Sequence, residues 1–338
     1  MGELTNIEWC DGTLNLWWGC TKVSNGCKNC YAEELSDKRY GNDAWGPGGT
    51  RKEVKSWRET LAKIAKRARK ENRRLRVFCQ SMSDTFEGPE TMGMPDVDTM
   101  DAYRGIYKGE PHPNWVLVER LQRELFAAIV QYPELDFLLL TKRPENVMQV
   151  VHAIRQTTSD YEELYEMVYS WTAGLPPSNV WIGTSVEDQK TADERIPELL
   201  KIPAKVRFLS CEPLLGPVNL TCIRSQPYTR GEGEEWTNAF TGATSFEDDG
   251  GGGTYYSETG IDWVIVGGES GSKARPMHPS WARSLRDQCV AANVPFFFKQ
   301  GSKANWTNFK DFASFPEDLQ IREFPQGASD GYEVRSNA

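Results

Sequence analysis

Cys20, Cys27 and Cys30 lie in the stretch Trp17-Trp18-Gly19-Cys20-Thr21-Lys22-Val23-Ser24-Asn25-Gly26-Cys27-Lys28-Asn29-Cys30-Tyr31. The spacing C-x6-C-x2-C on a segment holding glycine and asparagine lets three thiolates converge on one centre. Left bare, three exposed thiols would be an oxidation liability. Two kinds of centre fit. Structural zinc takes four ligands, so three cysteines need a partner from elsewhere. A 4Fe-4S cluster held by three cysteines leaves one iron open for a substrate or cofactor. The chain's histidines are His112, His152 and His278. His112 sits between two prolines and His152 in a helical stretch. His278, after a glycine-rich strand end, is the one plausible fourth zinc ligand. Cys10, Cys79, Cys211, Cys222 and Cys289 are scattered, and Cys79, Cys211 and Cys289 read as small hydrophobes in apolar runs.

Short apolar runs alternating with helical patterns must position that loop. Strands are expected at 14–18, 74–80, 136–141, 179–184, 205–210, 262–267 and 294–299. Helices are expected at 115–132, 191–202 and 279–293. Continuous apolar strands separated by helices indicate a parallel sheet covered on both faces. Polar residues follow almost every strand, which favours an α/β fold built as a parallel (β/α) barrel, incomplete at six to seven strands. Sites in such barrels gather at the C-terminal strand ends. The barrel is expected over 1–305, with a C-terminal extension over 306–338. Two insertions, 88–113 and 224–260, read as long loops over the mouth, the second disordered around Gly250–Gly253.

The strand ends are expected to ring the mouth with Ser83 and Asp84, Lys142 and Arg143, Ser185 and Glu187, Ser210 and Glu212, Glu269 and Ser270, and Lys299 and Gln300. Acidic groups there can bind an ammonium or ribose hydroxyls. Lys142, Arg143, Arg275 and Lys299 can take a carboxylate or phosphate. The competing reading is that these charges pair with each other across the mouth. Trp17 and Trp18 read as packing residues, and Tyr31 as a ring able to lie on an adenine.

The 338 residues include 39 Lys and Arg against 48 Asp and Glu, a formal net charge of −9. That excludes a basic coat for nucleic acid but leaves room for a local patch. Lys66, Arg67, Arg69, Lys70, Arg73, Arg74 and Arg76 form one, either a solvated helix face or a footprint for a DNA backbone. No run approaches the roughly 18 apolar residues of a membrane helix. The N-terminal residues lack a secretion signal, so a cytoplasmic location and reduced cysteines are expected.

The segment 15–33 with its three cysteines resembles the phage-associated three-cysteine-motif family. That family is known as a domain of unknown function and is similar to radical S-adenosylmethionine (SAM) enzymes. Further blocks match: Leu139-Leu140-Thr141-Lys142-Arg143-Pro144, 179–187, FLSCEPLLGP at 208–217 and DWVIVGGESGSKARP at 262–276. The resemblance, over roughly residues 7–302, implies a partial barrel holding a 4Fe-4S cluster on Cys20, Cys27 and Cys30. It implies SAM as cofactor and an electron donor of flavodoxin or ferredoxin type. It makes Glu212, Glu269 and Lys299 the expected catalytic residues. Ser83, Asp84, Lys142, Arg143, Ser185, Glu187 and Tyr31 become the expected SAM contacts.

The chain departs from the usual radical-SAM loop, CxxxCxxC with an aromatic residue between the last two cysteines. Here the first gap is six residues and Tyr31 follows the last cysteine. The Gly-Gly-Glu stretch found near the second strand in radical-SAM enzymes occurs here as Gly267-Gly268-Glu269, after a late strand. The phage association points to modified DNA bases as substrate, for example isomerisation of an N-linked to a C-linked glycyl-thymidine, inside an infected bacterial host. The competing classes are a zinc-stabilised, non-catalytic nucleic-acid-binding protein and a radical repair lyase.

Overall fold

Seven apolar segments form one all-parallel sheet in the computed structural model, which describes residues 5–94, 96–106, 109–158, 161–224, 234–248, 251–256 and 259–326. The strands are β1 (Gly12–Leu14), β2 (Leu75–Cys79), β3 (Leu135–Thr141), β4 (Val180–Ser185), β5 (Val206–Cys211), β6 (Trp263–Gly267) and β7 (Phe296–Gln300). Their spatial order is their chain order, and β1 and β7 remain edges, so the sheet is a curled half-barrel. Helices α1 (Trp57–Glu71), α2 (Pro113–Gln131), α3 (Val147–Thr157), α4 (Glu162–Thr172), α5 (Gln189–Leu200) and α6 (Pro279–Ala292) lie in the crossovers that parallel neighbours require, except between β5 and β6, where the described residues form short strands. No helix among the described residues is long and apolar enough to cross a membrane.

Strand periodicity divides the apolar residues between two cores. Leu75, Val77, Phe137, Leu139, Ile182, Leu209, Val264 and Phe298 face outward and pack under the helices. Alternate residues face the concave side, where Phe78, Leu138, Trp181, Phe208, Trp263, Ile265 and Phe297 gather with Trp9. Aromatic bulk fills this concavity: Trp263 meets Trp181, Phe208 and Phe297 at ring distances of 6.0–6.1 Å. Gly183 is the one small inward residue in the middle of β4, because a Cβ there would collide with the Phe208 ring.

The expected strand at 14–18 is two short pieces. β1 ends at Leu14, and Trp17–Trp18 turns away to pair antiparallel with Lys52–Glu53. Trp17 is fully buried, as a packing residue should be, and Trp18 lies against the Tyr40 ring.

The insertions also differ from expectation. Residues 88–113 carry a 3-10 turn at Pro89–Met92 and a helix at Thr99–Tyr103, with Met92, Ala102 and Tyr103 buried in the helix-side core. Within 224–260 the described residues form antiparallel strands Glu234–Thr237, Thr244–Asp248 and Gly251–Tyr255, joined to Ile223–Arg224. Residues 225–233, 249–250 and 257–258 lie outside the described residues. Among the described residues, neither insertion contributes a lining residue to the cavity at the mouth.

The C-terminal extension docks on the barrel. Phe315 and Leu319 are buried in the core, and Phe324 closes the floor of the concavity against Trp263 and Phe297 at 5.4 and 5.3 Å. The basic strip also belongs to this end. Asp11 takes Arg73 at 2.9 Å and Arg76 at 3.1 Å, Arg74 takes Asp136 at 2.9 Å, and Arg69 pairs with Glu134. These pairs sit at the N-terminal ends of β1, β2 and β3, opposite the mouth. Four of the strip's arginines thus tie strand starts together, while Lys66 and Lys70 stay exposed.

Trp263 touches more of the inner core than any neighbour named above, so Trp263→Ala should lower unfolding free energy by about 3–5 kcal/mol in urea titrations. A loss under about 1 kcal/mol would mean that the concave aromatic cluster is not a cooperative core.

Candidate metal centre and its cavity

The cysteine loop starts where the short hairpin at Trp17–Trp18 ends. Gly19 turns it with φ of 114°, and a Cβ there would strike the Ala44 carbonyl. A 3-10 turn at Asn25–Cys27 follows, and Cys30 caps the short helix Tyr31–Glu33. Such a loop has few backbone partners of its own, so side chains from distant positions hold it. Glu87 accepts from the Thr21 amide at 2.8 Å, and Arg51 donates to the Thr21 hydroxyl at 2.8 Å. Arg51 and Glu87 form an ion pair of 2.7 Å with both side chains fully buried. Arg51 further donates to the carbonyls of Ala44, Gly46 and Gly49, and the Gly46 amide returns a bond to the Cys20 carbonyl. From β3, Arg143 donates to the Thr21 carbonyl at 2.7 Å and to the Cys20 sulfur at 3.9 Å.

The other half of the loop rests on Glu187. Its carboxylate accepts from Ser24 at 3.1 Å, and the Ser24 hydroxyl lies 3.7 Å from the Cys27 sulfur. A capping box between Asp188 and Thr191 opens α5 and also takes the Glu187 amide, which fixes the carboxylate under the loop. Gly26 crosses directly over it, leaving no room for a Cβ. Burial works against ionisation of Glu187, yet Lys142 and Arg195 hold its carboxyl below the usual range.

Cys20, Cys27 and Cys30 are free thiols that line one cavity of about 400 Å³ at the C-terminal strand ends. The structure brings most of the expected ring to this cavity. Ser83, Asp84, Lys142, Arg143 and Ser185 line it from β2, β3 and β4. Glu212, Glu269 and Lys299 line it from β5, β6 and β7, and Tyr31 from the loop. Glu187 is the exception, since it is fully buried beneath the loop and is not a lining residue. Trp9, Phe78 and Leu140 supply an apolar floor.

Most charges at the mouth are paired. Asp84 takes Arg143 at 2.9 Å, the Thr141 hydroxyl at 2.7 Å and the Lys142 amide at 3.0 Å. Lys142 pairs with Glu187. Glu269 is gripped by Arg275 at 2.6 Å; burial opposes its ionisation, but Arg275 and Asn29 hold its carboxyl low. Lys299 reaches both Glu212 oxygens, at 2.6 and 2.8 Å. Both carboxylates expected to be catalytic are thus ion-paired, Glu269 to Arg275 and Glu212 to Lys299. The Tyr31 hydroxyl donates to the Ser81 carbonyl at 2.8 Å, holding a half-exposed ring beside Cys30. The Ser83 hydroxyl and the Gln80 amide nitrogen are buried without a protein partner.

Among the described residues no group of three or more His, Cys, Asp and Glu side chains closes round a single metal ion. Thiolates sharing one zinc ion, each about 2.3 Å from it, stand within ~4 Å of each other. A multi-iron cluster takes wider-set thiolates because each binds a different iron. The fourth zinc ligand expected at His278 is not at hand either. Its ring nitrogen lies 2.6 Å from the Ser280 hydroxyl, and it caps α6 in an exposed position. His112 caps α2, and His152 bonds the Met148 carbonyl at 2.7 Å. Three thiols lining one cavity could hold three irons of a cluster whose fourth iron is left open. Burial pushes the Cys20 thiol well above its usual range, with Glu87 adding to the shift and Arg143 opposing it. Burial pushes Cys30 up as well, against the Glu33 and Ala32 amides.

The family model described as "Protein of unknown function (DUF5131)" matches residues 4–123 and 112–314, and the chain belongs to that family. No curated protein and no solved structure matches the chain.

Removing one partner of the Arg51–Glu87 pair strands a buried charge. Arg51→Met and Glu87→Met should each cost about 3–5 kcal/mol in urea titrations, with the Arg51→Met/Glu87→Met double variant costing clearly less than the sum. Additive losses would show that the two groups do not act as a pair.

Proposed function

We propose that this family member is a radical S-adenosylmethionine enzyme whose 4Fe-4S cluster is held by Cys20, Cys27 and Cys30. The observation that carries the reading is the set of three free cysteines lining one cavity at the strand ends, with no histidine among the described residues that line it. When bound, the cluster and SAM would supply reductive cleavage of SAM to a 5′-deoxyadenosyl radical that abstracts hydrogen from substrate. The electron would come from a flavodoxin- or ferredoxin-type donor.

The chain's own residues then have definite tasks. The thiolates bind the irons, and the loop's ties to Arg51, Glu87, Arg143 and Glu187 keep the three sulfurs in place. The Ser83 hydroxyl and Gln80 amide, buried and unpartnered, sit where polar groups of SAM would complete them. Tyr31 offers its ring face beside Cys30 for the adenine. Glu212, just after β5, and Lys299, on an inward position of β7, are a paired but partly open acid and base at the mouth. The apolar floor of Trp9, Phe78 and Leu140 excludes water from a radical step.

For substrate, the proposal is a modified base of phage DNA. An example is an amino-acid adduct of thymidine isomerised from N-linked to C-linked form, in the cytoplasm of an infected host. Arginines of the basic strip pair with Asp11, Glu134 and Asp136, and Lys142 and Arg143 at the mouth pair with carboxylates. A single extruded nucleotide or a free nucleoside suits such a surface better than a long duplex footprint, which needs unpaired cations along the backbone.

Anaerobic reconstitution with iron and sulfide should load about four of each per chain, and Cys20→Ala, Cys27→Ala and Cys30→Ala should each lose the cluster. Stoichiometric zinc without sulfide in the wild-type protein would refute the reading. Neutralising Arg69, Arg73 and Arg74 should leave substrate affinity within about twofold and change stability instead. A large loss of DNA affinity in that variant would restore the strip as a footprint.

A further inference from the structure

The three thiols are not electrostatically equivalent. Cys27 has the Ser24 hydroxyl at 3.7 Å as its neighbour, and Cys30 has the backbone amides of Ala32 and Glu33. Cys20 alone of the three has, among the described residues, a hydrogen bond from a charged side chain, the Arg143 guanidinium at 3.9 Å. That guanidinium is almost completely buried, at 3% exposure, so its charge is poorly screened by water. It is anchored on both sides, by Asp84 at 2.9 Å and by the Thr21 carbonyl at 2.7 Å. Asp84 is itself fixed by the Thr141 hydroxyl and the Lys142 and Phe86 amides, so it cannot swing away from Arg143.

Resting on the cluster assignment above, we infer that the Arg143–Asp84 pair tunes the reduction potential of the centre through Cys20, with Arg143 as the positioning and polarising residue. Adding an electron makes the cluster and its thiolates more negative. A cation hydrogen-bonded to one sulfur favours that reduced state, and hydrogen bonds to the sulfurs and local charge are among the factors that set such potentials. Asp84 offsets part of the cation's effect. The two residues therefore act with opposite sign: loss of Arg143 disfavours reduction, and loss of the Asp84 charge favours it. A purely structural role would move both variants the same way, toward a looser loop and a poorly held cluster.

The experiment is an anaerobic redox titration followed by electron paramagnetic resonance, with iron counted in each sample. It compares the wild-type full-length chain with Arg143→Gln, Arg143→Lys and Asp84→Asn. The expected result is a fall of about tenfold in the reduction equilibrium constant for Arg143→Gln, roughly 59 mV for a one-electron couple. Arg143→Lys should lie between Arg143→Gln and wild type, because it keeps the charge but loses the forked geometry. Asp84→Asn should shift to higher potential. Coincident potentials, or shifts of the same sign for Arg143→Gln and Asp84→Asn, would overturn the inference. If Arg143→Gln fails to fold, an unchanged potential in Asp84→Asn overturns it by itself. A wild-type chain that takes up no iron and sulfide overturns the cluster assignment and this inference together. Failure of the inference alone leaves wild type loaded.

Discussion

Twelve residues from Gly19 to Cys30 must hold three sulfurs still while forming little more than one 3-10 turn, and the buried Arg51–Glu87 pair is what makes that possible. In a helix or strand, backbone groups satisfy each other; in this loop Thr21 is satisfied instead by Glu87, Arg51 and Arg143. The same Arg51 gathers the carbonyls of Ala44, Gly46 and Gly49, so the loop and the following segment are set by one guanidinium. Neither charge of the pair is exposed, which makes the arrangement all-or-none: complete, it fixes a geometry; broken, it strands an ion in the interior.

The curled sheet supplies the rest. Inward positions on successive strands run from aromatic at the floor to polar at the mouth, as in β5 from Phe208 to Ser210 and on to Glu212. The charges of the floor and of the mouth are largely paired, but to different ends. At the floor Asp11, Arg73, Arg74, Arg76 and Asp136 tie strand starts together. At the mouth Asp84, Arg143, Glu187 and Lys142 tie strand ends to the cysteine loop. Phe324, from the C-terminal extension, seals the floor, so the concavity opens toward the cysteines.

What the sequence made legible follows from burial. Strands β2 to β7 are covered on both faces and read as unbroken apolar runs, so each was placed to within about two residues, the usual uncertainty at element ends. The run 14–18 misled because Leu14, Leu16 and Trp17 are all buried although the chain changes sheet between them. Glycine-rich 250–253 suggested disorder because the pairing of Gly252 and Gly253 with Glu247 and Phe246 depends on a partner strand that no local pattern announces. The cysteines announced themselves by type and spacing. Arg51 and Glu87 did not, because a lone Arg and a lone Glu 36 positions apart look like two surface charges. The strip 66–76 is conspicuous in sequence, while the pairing of its arginines is not, because Asp11, Glu134 and Asp136 lie at the starts of other strands.

The central claim is that three cysteines leave one metal position open to a ligand. Electron–nuclear double resonance on the reduced, reconstituted protein, with SAM labelled at its amino nitrogen and carboxylate oxygen, tests this directly. The account predicts hyperfine coupling of both labelled nuclei to the cluster. A cluster spectrum unaffected by SAM, with neither nucleus coupled, would contradict it.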